Sequence, residues 1–134
     1  MNEVKAAPRI GAIYEMEFAV EQRHVIDFAT DGMPAVLSTP NLIGWLERTA
    51  REGLAPLLEP DERSVGAEIE LRHLAPTALG QRVTCTARVI GVDGKGVTFQ
   101  IEARDSHELV ARGLHKRMVI RVESFARRVR EKAG

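Results

Sequence analysis

Cysteine is nearly missing from this 134-residue chain: Cys85 stands alone. A lone cysteine excludes an intrachain disulfide and a cysteine-built zinc site. Charge of one sign is missing too. The 19 Lys and Arg balance 19 Asp and Glu, for a formal net charge of zero, whereas a nucleic-acid binder normally carries a basic excess to neutralise phosphates. No apolar run approaches the ~20 residues that cross a bilayer. The first residues lack the basic-then-apolar order of a secretory signal. There is no GxxxxGK phosphate loop and no GxSxG elbow, and the four histidines show neither HxxxH nor HExxH spacing. The expectation is a cytoplasmic protein with no nucleic-acid, membrane or metal partner. What is present suffices for a core: 44% of the residues are hydrophobic, which argues against disorder. The length predicts one domain over 1–134, with an irregular arm at 1–10 and a basic tail at 123–134.

The order of elements is legible from periodicity. Tyr14, Met16, Phe18 and Val20 alternate with Glu15 and Glu17, the signature of a half-buried strand. Residues 21–38 are less regular. Thr39 as N-cap and Pro40 at the first helical position then open a helix over roughly 40–58. Its apolar stripe is Leu42, Ile43, Leu46, Ala50, Leu54, Leu57 and Leu58. Strands follow. Val65, Ala67, Ile69, Leu71 and His73 share one face, against Glu68, Glu70 and Arg72. Val83, Cys85, Ala87 and Val89 share the next. A Gly94-Lys95-Gly96 hairpin leads to Val97, Phe99, Ile101 and Ala103, and a last strand covers 109–122. The tail predicts a short basic helix capped by Ser124. Strands joined by short turns pair antiparallel, and a lone apolar helix must bury its stripe against them. The fold class is therefore α+β: an antiparallel sheet wrapped around one long central helix, the hotdog architecture. Such a sheet leaves edges to be paired, which predicts a homodimer.

Few residues carry candidate chemistry. His73 falls on the apolar face with Ile69 and Leu71, either as a satisfied core histidine or as part of a pocket. Glu47 lies at the margin of the helix stripe. It reads as a solvated carboxylate beside Arg51, or as a desolvated general base. Thr39 starts the helix, where unpaired N–H groups can polarise a carbonyl. With Pro40 lacking an N–H, donors there come from Asn41, Leu42 or the Thr39 hydroxyl. Thr39 and Glu47 stand about 12 Å apart along the helix axis, too far for a direct bond. His115 alternates with Gly113 and Arg117, and reads either as part of a polar edge near a ligand or as sheet surface. His24 and His107 are weaker candidates.

Three segments carry a family resemblance. They are Val36-Leu37-Ser38-Thr39-Pro40-Asn41-Leu42-Ile43 running to Glu47, Ser64-Val65-Gly66-Ala67-Glu68 running to His73-Leu74-Ala75-Pro76, and Gly113-Leu114-His115-Lys116-Arg117. Together they resemble hotdog-fold thioesterases of the fluoroacetyl-CoA thioesterase type, over residues 11–130. The aromatic-rich lid of that family has no clear counterpart in 24–37. The resemblance implies a homodimer, or a higher oligomer, that hydrolyses a small or medium acyl-CoA thioester without metal or redox cofactor. It puts the catalytic threonine, glutamate and histidine on Thr39, Glu47 and His73. Gly66, Arg117 and Asn41 are the expected substrate-binding residues. The reading from another class is a non-catalytic acyl-CoA binding or sensing module. A hotdog hydratase lacks its usual Asp-and-His pair on the helix, and a purely structural dimer would show no pocket beside His73.

Overall fold

The alternation in the second half of the chain becomes one antiparallel sheet. The computed structural model describes residues 7–134. The expected arm thus lies outside the described residues up to position 6. Strand β1 (Ile13–Ala19), a short hairpin of β2 (Val25–Ile26) and β3 (Val36–Leu37), and helix α1 (Thr39–Leu54) come first. Strands β4 (Glu62–His73), β5 (Arg82–Asp93), β6 (Gly96–Arg104) and β7 (Leu109–Arg121) follow, then helix α2 (Val122–Ala133). The five long strands lie in the order β1-β5-β6-β7-β4. Helix α1 packs across their inner face, so the expected hotdog architecture is the observed one.

The core sits where the pleat predicts. Val83, Cys85, Ala87 and Val89 of β5 and Phe99, Ile101 and Ala103 of β6 are fully buried beneath Leu42, Leu46, Ala50 and Leu54. Trp45 and Thr49 join the helix's buried face. Thr49 is accommodated because its hydroxyl donates to the Trp45 carbonyl at 2.8 Å. Gly53 lets the helix lie on β1, since any Cβ there would run into the Tyr14 ring. Burial pushes the Cys85 thiol up to about 12, which removes it as a nucleophile.

Three details differ from the sequence expectation. Helix α1 is capped by Ser38, whose hydroxyl accepts from the Asn41 N–H at 3.4 Å. Thr39 is thus already helical, with Pro40 one position further in. Helix α2 begins at Val122, so Ser124 lies inside it and does not cap it. The alternation of β4 is not strict either. The pairing with β7 passes from Gly66–Arg117 to Glu68–Lys116, leaving Ala67 as a bulge. Ser64 and Gly66 therefore face inward with Ile69, Leu71 and His73, while Val65 faces outward.

Candidate active site

Because Ser38 serves as the cap, the Thr39 hydroxyl is available for another partner. It lies 2.8 Å from Nδ1 of His73, the inward-facing residue at the end of β4. Burial holds the His73 pKa below the usual histidine value, which favours the neutral ring. Its Nε2 is buried with no hydrogen-bond partner among the described residues. A cleft of about 340 Å³ opens beside this pair, lined by Ile26, Val36, Leu37, Leu74, Ala75 and Pro76. It is small, apolar and open to solvent, with one hydroxyl–imidazole pair at its wall.

Glu47 is elsewhere. Two turns along α1, its carboxylate sits over Gly66. A Cβ at Gly66 would stand 2.5 Å from Oε2, so only glycine leaves this space. Oε2 is 3.6 Å from Arg117 Nη1. Arg117 is only 4% exposed, and Ser64, through side chain and backbone, and the His115 ring supply its other polar contacts. Nε donates to Ser64 Oγ and Nη2 to the Ser64 carbonyl, both at 2.8 Å, and Nη1 approaches His115 Nε2 at 3.2 Å. Burial lowers the Arg117 pKa while the Glu47 carboxylate works against that shift. A second cleft, of about 180 Å³, is lined by Glu47, Gly66, Ala67, Glu68, Ile69 and His115.

The structure therefore brings Thr39 to His73, and Glu47 to Gly66 and Arg117, but within one chain it does not bring the two groups together. Asn41 points its amide at the cap, donating from Nδ2 to Ser38 Oγ at 2.6 Å. The N–H groups of Asn41 and Leu42 also go to Ser38. That removes the backbone donors expected at these two positions. His115 is not on the sheet surface: it is 1% exposed. Sequence reasoning gave Ser64 no role. The signal for these two residues lies in the segments that carry the family resemblance, Ser64-Val65-Gly66-Ala67-Glu68 and Gly113-Leu114-His115-Lys116-Arg117, and not in the strand alternation. His24 packs edge-on against Trp45, and His107 sits exposed in the turn after β6. Among the described residues no group of three His, Cys, Asp or Glu is placed to hold a metal, and no helix is long and apolar enough to cross a membrane.

A sheet wrapped on one helix, with a hydroxyl–imidazole pair at the helix start and a carboxylate two turns on, defines a hotdog-fold protein of the thioesterase class. A family model described as fluoroacetyl-CoA-specific thioesterase matches residues 20–123. The fluoroacetyl-CoA thioesterase of Streptantibioticus cattleyicolor is 33% identical over 137 residues, spanning 96% of this chain and 97% of that protein. A solved structure of a fluoroacetyl-CoA thioesterase superposes with a TM-score of 0.86 at 30% identity, covering 95% of this chain and 98% of the other. A hot-dog-like protein from Thermanaerovibrio acidaminovorans gives 0.83, also at 30% identity, with 93% of each chain covered. The chain belongs to the fluoroacetyl-CoA-specific thioesterase family, and its reaction class is thioester hydrolysis.

Proposed function

We propose that this chain is an acyl-CoA thioesterase for small or medium acyl groups, acting as a homodimer whose two subunits each supply part of one site. The observation that carries the reading is the Thr39–His73 pair, 2.8 Å apart at the wall of an apolar cleft. In the tautomer that leaves Nδ1 unprotonated, the Thr39 hydroxyl donates to it. His73 then takes that proton as Thr39 Oγ attacks the thioester carbonyl. The Thr39 Oγ–C bond forms, the C–S bond breaks, and the proton passes from His73 to the leaving coenzyme A sulfur. Water then adds to the acyl-threonine carbonyl as Glu47 takes one of its protons; the Thr39 Oγ–C bond breaks and that proton returns to Oγ, releasing the free acid and restoring the hydroxyl and the carboxylate. Ile26, Val36 and Leu74 around the cleft suit an aliphatic acyl group. Gly66 opens the space for Glu47, and Arg117 holds that carboxylate rather than touching coenzyme A.

What supports the homodimer is the edge of β4, which pairs only with β7 among the described residues. Two copies pairing antiparallel along this edge about a two-fold at Glu70, with Ala67 bulged, would set Gly66 opposite the partner's His73. Glu47 of one subunit would then meet the Thr39–His73 pair of the other, which the spacing along a single helix forbids. A cytoplasmic setting, where coenzyme A thioesters are made and used, fits this reading.

The test is thiol release over a panel of acyl-CoA thioesters, fluoroacetyl-CoA included. Turnover of at least one short or medium chain is expected, and it is lost in His73→Ala and Glu47→Ala. Binding of a non-hydrolysable analogue without any turnover would instead favour the sensing module.

A further inference from the structure

The reaction scheme leaves a buried histidine without a task. His115 sits at the inner face of β7, fully enclosed, with its ring near Phe99. Both of its nitrogens are engaged, and their partners fix its state. Nδ1 is 2.8 Å from the carbonyl oxygen of Glu68, which accepts and never donates. Nε2 is 3.2 Å from Arg117 Nη1, which donates and never accepts. The ring is therefore the neutral tautomer with its proton on Nδ1 and its lone pair turned to the guanidinium. The bulge at Ala67 contributes, since it comes just before the Glu68 carbonyl that anchors the ring. Burial lowers the His115 pKa, and the charge of Arg117 adds to that, so the tautomer is not displaced near neutral pH.

Arg117 needs such an anchor. Ser64 fixes its Nε and Nη2 side, but Nη1 is the atom that reaches Glu47, and there the separation is a loose 3.6 Å. A 41% exposed carboxylate is held only as well as the cation beside it is aimed. We propose that His115 is a positioning residue: anchored on the Glu68 carbonyl, it accepts from Arg117 Nη1 and so aims the guanidinium at Glu47, keeping that carboxylate over Gly66. The inference rests on the thioesterase reading for its kinetic consequence, but not for its structural one.

Two substitutions separate the two bonds of the ring. His115→Gln retains an acceptor near the Nε2 position and keeps the Arg117 contact. His115→Asn retains a donor near the Nδ1 position and keeps the Glu68 contact alone. The first readout is nitrogen-15 NMR of the Arg117 guanidinium. Hindered rotation and slow hydrogen exchange are expected in the wild type and in His115→Gln, and their loss in His115→Asn. The second is steady-state kinetics. His115→Asn is expected to lower kcat by about tenfold or more with KM within about threefold, while His115→Gln stays within about threefold of wild type in both. A structural role alone would move the two variants together, in step with their melting temperatures. Arg117 signals unchanged in His115→Asn would overturn the proposal whatever the activity. If the wild type turns over no acyl-CoA, the thioesterase reading fails, and the Arg117 signals alone decide the positioning role.

Discussion

The Glu47 carboxylate occupies the volume that a side chain at residue 66 would fill, with Oε2 2.5 Å from the place of the missing Cβ. Gly66 has no positive φ, so its backbone suits any residue and the requirement for glycine is one of space alone. Gly66→Ala is expected to fold with a near-normal melting temperature. It displaces Glu47 and lowers kcat by about tenfold or more. In a Glu47→Ala background the same change adds no further loss, and a double-mutant cycle measures this coupling.

The hydroxyl–imidazole pair gives a second expectation. Thr39→Ser keeps the oxygen that approaches His73 and retains measurable turnover. Thr39→Val keeps the shape but removes the oxygen, and kcat falls by about 10²–10⁴. Ser38 already caps the helix, so neither change at Thr39 removes the cap. Thermal unfolding alongside the kinetics checks that the loss is chemical.

If the site is shared between subunits, two dead proteins make one live site. Glu47→Ala and His73→Ala, each inactive alone, form mixed dimers on unfolding and refolding together. In a mixed dimer one site receives the intact His73 of the first chain and the intact Glu47 of the second. Thiol release returns in the mixture, approaching about a quarter of the wild-type rate for random pairing of equal amounts. A site confined to one chain gives no recovery.

Acid weakens the fold through its buried imidazoles. Burial lowers the pKa of both His73 and His115, so between the folded values and the ordinary value of about 6.5 the unfolded chain binds more protons. Their contribution to stability is therefore complete above that ordinary value and is lost as pH falls through the folded values. Melting temperatures measured from pH 8 down to pH 5 should decline on the acid side. His115→Gln, which has no titrating ring, should flatten that decline. A slope unchanged by the substitution would assign the acid sensitivity to other groups.

The parts of this fold that were legible in the sequence are those where one face is buried without interruption. Strand β5 as far as Val89, and strand β6, alternate residue by residue, and their inward sets are the ones periodicity picks out. The start of α1 was misread by one position because Ser38 and Thr39 are both good caps, and proline is tolerated at either of the next two positions. That single step separates a threonine occupied by its own helix from one facing His73. The seat of Arg117 was illegible for a different reason. An alternating pattern carries no mark of an inserted residue when its neighbours are as small as Gly66 and Ala67. His115 and Arg117, two residues apart on a strand, read as a polar outer face unless their buried partners are known. The Thr39–Glu47 separation was legible from helix geometry, and it is what makes a second chain part of the proposed site.

Ala67 gives β4 an extra half-period. Without that offset, Ser64 and Gly66 would fall out of phase with His73, and the strand could support the imidazole or the arginine, but not both. Were Ala67 paired as an ordinary strand residue, the first half of the strand would turn inside out while every proposed reacting group stayed in the sequence. Such a protein would keep its family signature and lose its chemistry.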